Sequence, residues 1–161
     1  MLDFGCGLGN LAVAAAEHGC SVVALDASRT AIEHVKRVAS DKALSIEAYE
    51  AELRNYELRE DFDSVVSIGL LMFLDCPAAF HQLSQLQSHV RRDGIAVVNV
   101  LIEGTTYLDM FDSRGHCLFA RDEMRRRFAG WKLLRHDYQD FGTPNQRLKS
   151  FVTIIAQKLA A

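Results

Sequence analysis

From residue 2 to residue 102, strand-length apolar runs alternate with segments of helical period, an order that fits a parallel sheet with right-handed crossover helices. The run "SVVALDAS" (21–28) is rich in β-branched residues and is stopped by Asp26 and Ser28. The following "RTAIEHVKRVASD" (29–41) repeats Ala31, Ile32, Val35 and Val38 at helical spacing, with Ser28 available as its N-cap. "ALSIEAYE" (43–50) is a weaker strand and "FDSVVSIGLL" (62–71) a strong one. "CPAAFHQLSQLQSHVRRDG" (76–94) predicts a helix with Pro77 in its first turn and Gly94 past its end, followed by a buried strand "IAVVNVLI" (95–102). The last third changes character. A polar loop (103–116) leads to a charged helix "ARDEMRRRFAG" (120–130) and two strands, "WKLLRHDYQDF" (131–141) and "LKSFVTIIAQK" (148–158). The last two strands are expected to pair as an antiparallel hairpin at the edge of an otherwise mostly parallel, seven-stranded α/β sheet.

The chain has 161 residues, 49% hydrophobic and 24% charged, which is enough to bury one core, so a single domain over 1–161 is expected. A net charge of −3 offers no general attraction to nucleic acid or an anionic membrane, and neither is expected as a partner. The longest apolar run, "GIAVVNVLI", falls well short of the roughly 20 residues of a membrane-spanning helix. Cys6, Cys20, Cys76 and Cys117 are scattered without a C-x-x-C pair, which speaks against a zinc site or a disulfide scaffold. Reduced thiols, a cytoplasmic location and no bound metal are the expectation.

The first strand runs directly into "MLDFGCGLGN", with Gly5, Gly7 and Gly9 at alternate positions. In a strand, tight loop, helix arrangement such glycines let the backbone turn sharply and approach a ligand outside the carboxyl ends of the strands. A dinucleotide fingerprint would put its third glycine at position 10, which is Asn10, so the spacing is G-x-G-x-G rather than G-x-G-x-x-G. That disfavours a nicotinamide-dependent oxidoreductase. Asp26 closes the second strand, where a carboxylate can accept two ribose hydroxyls; the alternative is a cap for the helix beginning near Ser28. Around the end of the third strand stand two acids, Glu50 and Glu52, competing candidates for a ligand role, with a solvated loop charge as the alternative for either.

"LDFGCGLG" and Asp26 together resemble the class I S-adenosylmethionine-dependent methyltransferases. "FDSVVSIGLLMFLDCPAAF" (62–80), "CLFARDEMRRRFAGWKLL" (117–134) and "FVTIIAQK" (151–158) are similar to the small tellurite-resistance methyltransferases, the TehB type. The resemblance implies a Rossmann-like doubly wound fold and S-adenosylmethionine as cofactor, with S-adenosylhomocysteine as product. It implies a cofactor site of Asp3, Gly5, Cys6, Gly7, Gly9, Asp26, Ala27, Glu52, Leu53, Gly69 and Met72, with Asp3 near the cofactor's amino end, Asp26 on its ribose and Glu52 on its adenine. Phe73 and Leu74 would join Met72 in the cofactor wall and the floor of the acceptor cleft; plain core packing is the alternative, and the expected role of Trp131.

The acceptor is expected to be a small molecule, with chalcogen oxyanions and thiols as candidates. The resembled group holds its oxyanion with a histidine and arginines on the last hairpin. Here "DFGTPNQRLKSF" (140–151) is shorter and lacks the histidine, leaving Arg147 to stand in for one arginine, with His116 and Tyr107 as further acceptor-side candidates. Because Met1 already stands in the first strand, the domain is expected to be truncated at its N-terminus, without the helical segment that closes the site in the family, so that a homodimer could cover the cleft. The alternative to catalysis is a decayed methyltransferase fold retained as a binding module. The arginines of "RDEMRRRF" (121–128) follow Asp122 and Glu123 at helical spacing, which predicts intrahelical ion pairs rather than a nucleic-acid patch.

Overall fold

The computed structural model describes residues 1–111 and 115–160. The strands are β1 (Leu2–Phe4), β2 (Val22–Asp26), β3 (Ile46–Glu50), β4 (Phe62–Ile68), β5 (Val90–Leu101), β6 (Lys132–Thr143) and β7 (Arg147–Gln157). The helices are α1 (Asn10–Glu17), α2 (Arg29–Asp41), α3 (Cys76–Ser88) and α4 (Glu123–Arg127). The strands form one sheet in the order β3-β2-β1-β4-β5-β7-β6. The pairs β2–β3, β1–β2, β1–β4 and β4–β5 are parallel, while β7 is antiparallel to both β5 and β6. Strand order reverses beside β1, so the β1 and β4 carboxyl ends flank the switch point at which α/β sheets bind ligands.

Each sheet face has its own core. Ala12 and Ala16 of α1, with Ile32 and Val35 of α2, pack on Val22, Ala24 and Ala48. The small residues facing one another let these helices lie close to the strands. On the opposite face Leu2, Phe4, Val65, Val98, Val100 and Ile154 meet Leu83 and Leu86 of α3, together with Phe119, Met124 and Phe128. Trp131 packs edge-on against Phe128, the core role its sequence context suggests.

Two boundaries depart from the sequence expectation. Helix α3 ends at Ser88 instead of reaching Gly94, and residues 90–94 already belong to β5. The cause is nonlocal: Lys158, from beyond β7, donates to the carbonyls of Gln87, Ser88 and Val90 at 3.0, 3.1 and 2.7 Å, supplying donors to the α3 terminus. Gly94 is instead a point of close approach, since a Cβ there would lie 2.7 Å from the Asp63 carbonyl. The charged helix contracts to the single turn of α4, within which Glu123 pairs with Arg126 at 2.8 Å, as its spacing implies.

The cysteine expectation is corrected. Cys76 and Cys117 form a disulfide, with Cα atoms 4.7 Å apart, and among the described residues Cys6 and Cys20 are free thiols. The two half-cystines lie 41 residues apart and meet only because the start of α3 and the segment before Phe119 converge at the carboxyl edge of the sheet. No short spacing could announce that. No helix among the described residues is long and apolar enough to cross a membrane.

Gln82, fully buried on α3, anchors the segment that follows β3. Its amide donates to the carbonyls of Arg54 and Tyr56 at 3.0 and 3.1 Å. Gln82→Leu is expected to lower stability by about 1–3 kcal/mol, because two carbonyls lose their donor. Urea unfolding with an unchanged m-value checks this; an unchanged midpoint would show that the anchor is dispensable.

Candidate functional site

The loop between β1 and α1 is held by backbone bonds that only a sharply turning chain can make. The amides of Gly5 and Cys6 both donate to the Leu25 carbonyl, at 2.8 and 2.9 Å, and Gly9 donates back to Cys6 at 2.9 Å. Gly5, Gly7 and Gly9 have φ of 85°, 52° and 77°, the left-handed region in which a side chain is strained. Their surroundings differ. A Cβ on Gly5 would lie 2.8 Å from Leu70, and one on Gly9 would lie 2.5 Å from Val35, whereas one on Gly7 would meet nothing within 4 Å. Gly5 and Gly9 are thus small for packing, and Gly7 leaves backbone open to whatever lies beside the loop.

Asp26, at the end of β2, joins this loop to the next one. Its Oδ2 accepts from the Gly7 amide and its Oδ1 from the Ser28 amide, both at 2.8 Å. Ser28 caps α2 with its own hydroxyl, accepting from Ala31 at 3.3 Å, so Asp26 is not the cap. A half-exposed carboxylate with one amide on each oxygen keeps lone pairs for a diol. Asp26, Ala27, Glu52, Leu53 and Phe73 line one cleft of about 190 Å³, with Arg54, Leu70 and Leu74 completing its wall. Larger grooves of about 520 and 730 Å³ do not include Asp26, the second sharing only Glu52 with this cleft, so chemistry rather than size selects the smaller one. Glu52 is exposed and caps a short turn by accepting from the Arg54 amide at 3.1 Å. Glu50, its competitor, ends β3 and does not line this cleft.

Asp3 lies beneath the loop, only 4% exposed, and its Oδ2 has no partner. Burial, reinforced by the neighbouring Asp26 charge and opposed by a hydrogen bond from the Ala12 backbone, pushes its carboxyl up to about 6. Burial also pushes the Cys6 thiol up to about 12, with Asp3 and Asp26 adding to the effect, so Cys6 is not a nucleophile at neutral pH. A buried carboxylate with one oxygen left unpartnered below an open glycine backbone is suited to a cationic group carried by a ligand. Gly69 follows β4 and donates to the Asn99 carbonyl at 3.0 Å. Met72 is buried, its methyl 3.7 Å from where a Gly69 Cβ would be, and it is Phe73, 41% exposed, that reaches the cleft.

The acceptor-side candidates divide into two groups. Tyr107 is pinned by its amide to the Leu148 carbonyl at 3.1 Å, and its ring lies under the Arg147 guanidinium at 4.8 Å and the Lys149 ammonium at 4.7 Å. Arg147 is held in a bidentate pair by Asp109, at 2.7 and 2.8 Å. His116 stands in the other group, stacked on Phe111 at 4.4 Å, and Phe111 in turn meets Phe73 edge-on at 5.2 Å. His116 thereby connects to the cofactor-side wall, and Arg147 does not share that contact. Asp109, Phe111 and the Arg54–Asp75 ion pair had no local signal in the sequence, since each acts through a partner distant in the chain. Among the described residues no group of three or more His, Cys, Asp or Glu is placed to hold a metal ion.

Residues 1–94 match the family described as a methyltransferase domain. Over 169 residues the chain is 30% identical to hemagglutinin 1 of Eikenella corrodens, covering 98% of this chain and 54% of that protein. It is 35% identical over 104 residues to the mitochondrial ubiquinone biosynthesis O-methyltransferase of Schizosaccharomyces pombe, covering 63% of this chain and 37% of that one. The fold is that of TehB from Haemophilus influenzae, with a TM-score of 0.87 at 19% identity over 98% of this chain and 56% of that chain. Coclaurine N-methyltransferase bound to N-methylheliamine and SAH gives a TM-score of 0.78 at 14% identity, over 98% and 66% of the two chains. The chain thus spans about half the length of the first of these relatives.

The two crowded and open glycines should separate on substitution. Gly9→Ala combines a left-handed φ with a clash on Val35 and is expected to cost ~2 kcal/mol or more. Gly7→Ala carries the φ strain alone, ~1 kcal/mol, and should instead weaken ligand binding. Denaturant unfolding compared with ligand titration tells them apart, and equal stability losses would contradict the assignment. Asp3 gives a pH signature. Its carboxyl is raised in the folded state, so the folded protein binds the proton more tightly, and that stabilisation is complete below about 3.8 and lost as pH rises through about 6. Asp3→Asn should therefore stabilise the ligand-free protein at pH 7.5 relative to wild type, by ~1–3 kcal/mol, and lose that advantage at pH 4. A variant less stable at pH 7.5 than at pH 4, each relative to wild type, would refute the assigned burial cost.

Proposed function

The chain belongs to the methyltransferase-domain family, and on that premise we propose that it binds S-adenosylmethionine at the Gly5–Gly9 loop and transfers its methyl group to a small-molecule acceptor. The observation that carries this reading is the pairing of Asp26, held by the Gly7 and Ser28 amides, with the unpartnered Asp3 Oδ2 beneath the same loop. One carboxylate faces a cleft fit for a ribose, and the other is fit for an ammonium group. Asp26 would accept the ribose hydroxyls through its remaining lone pairs, and the open backbone at Gly7 would border the methionine portion. Glu52 would accept the adenine amino group, with Ala27 and Leu53 flanking the base and Cys6 and Gly69 bordering the cofactor. Met72 would support the wall from within the core while Phe73 forms its exposed face.

The bound cofactor supplies an electrophilic sulfonium methyl; this chain's task is to hold an acceptor in line with it and keep water out. No general base is needed for a soft nucleophile, so chalcogen oxyanions and thiols are the acceptor classes proposed. Arg147, Tyr107 and His116 are proposed on the acceptor side. Arg147 is paired with Asp109, which holds the carboxyl of Asp109 below its ordinary range, so an anionic acceptor would have to compete with that carboxylate.

Titration with S-adenosylhomocysteine in a calorimeter tests the reading. Binding of the product's ammonium requires ionised Asp3, so affinity should fall as pH drops through about 6, roughly tenfold between pH 7.5 and pH 5. Asp26→Asn should weaken binding at both pH values, because the carboxylate's charged acceptor capacity is lost. Absence of heat at high micromolar concentration, or tighter binding at pH 5, would overturn the proposal.

A further inference from the structure

The Cys76–Cys117 disulfide lies where the cofactor wall meets the loop bearing the acceptor-side candidates. Cys76 is the first residue of α3, three positions beyond Phe73, and Cys117 directly follows His116. Alongside the covalent link, the Cys117 amide donates to the Met72 carbonyl at 3.0 Å. The backbone anchors of the loop stand at its two ends. Thr106 and Tyr107 donate to the Leu148 carbonyl, and Glu103 and Phe119 pair with one another and with Leu101. Between those ends, the Asp109–Arg147 pair ties the loop to β7, and the disulfide, its neighbouring hydrogen bond and the Phe73–Phe111–His116 ring contacts hold the described residues against the cleft.

We propose that this disulfide is a redox-controlled staple: oxidised, it fixes the acceptor-side loop against the cofactor wall, and reduction by a dithiol releases that loop. Its functional meaning rests on the methyltransferase reading above. The cross-link closes a 41-residue separation, so its loss restores freedom to the unfolded chain and, in the folded protein, detaches the Cys117 end of the loop from the start of α3. Cys117 is wholly buried while Cys76 is half-buried, which directs an incoming thiolate to the Cys76 sulfur. That attack forms a mixed disulfide and expels the Cys117 sulfur, which takes up a proton. The second thiol of the dithiol then displaces Cys76, leaving two protein thiols and an oxidised, cyclic disulfide of the reductant. Cys76 would emerge at the N-terminus of a 13-residue helix, an environment that favours its thiolate and so stabilises the reduced pair.

The test is alkylation and hydrogen exchange on the whole chain, with and without dithiothreitol and with and without S-adenosylhomocysteine. Denatured without reductant, the protein should take up two equivalents of iodoacetamide, on Cys6 and Cys20, and four after reduction. Reduction of the native protein should speed amide exchange of residues 110–111 and 115–117 at least tenfold, and Cys76→Ser and Cys76→Ala should show the fast exchange without reductant. Four reactive thiols in protein purified under air, or exchange in 110–111 and 115–117 indifferent to reduction, would overturn the staple. If S-adenosylhomocysteine fails to slow exchange at residues 4–10 in either redox state, the methyltransferase reading fails separately, and the staple loses its assigned purpose though not its chemistry.

Discussion

The carboxyl end of the sheet is organised by how the Asp26 carboxylate is held. Its two oxygens take one amide from the glycine loop and one from the start of α2, so a single side chain aligns both turns flanking the proposed cofactor. This clasp works because β1 and β2 are adjacent and parallel, with Phe4 in register with Leu25, which brings both loops to the same edge. The Leu25 carbonyl receives two further loop amides, so the turn is fixed from one neighbouring strand. Asp3 bears the electrostatic consequence. Ionised below a clasped carboxylate and away from water, it destabilises the ligand-free fold, which is the kind of strain that binding a cation relieves.

Past β4 the protein changes from backbone-defined to side-chain-defined order. Phe73 presents a face to the cleft, Phe111 wedges against it, and the chain between β5 and α4 is tied down by nonlocal contacts rather than by regular structure. Asp109 neutralises Arg147 in the same region, which lowers the local positive charge facing an acceptor. Under the proposed function, acceptor choice would depend on how this loop and the β6–β7 hairpin sit together, and cofactor recognition on β1, β2 and β4.

That division explains what could be read from the sequence. Strand and helix alternation, Gly5, Gly7, Gly9 and Asp26 are legible because each expresses local chemistry: β-branched runs, apolar periodicity and a turn that needs left-handed backbone. The end of α3 is not legible in this way, because "RRDG" has the composition of a helix terminus, whereas the donors that meet the actual terminus come from Lys158, 71 residues from Gln87. The disulfide escaped for the same reason, and so did Asp109, whose partner Arg147 is 38 residues away. Met72 and Phe73 are adjacent in sequence, yet one is core and the other cleft, a distinction decided by a short helical turn (Leu71–Phe73) that apolarity alone does not reveal.

The central claim is that the loop glycines and Asp26 form the cofactor site. Amide resonances followed during titration with S-adenosylhomocysteine, and in parallel with a nicotinamide dinucleotide, address it residue by residue. A cofactor site at this loop requires saturable shifts at Gly5, Gly7, Gly9, Asp26 and Ser28 with the first ligand and none with the second. Shifts confined to the grooves away from this loop, or produced by the dinucleotide instead, would contradict it.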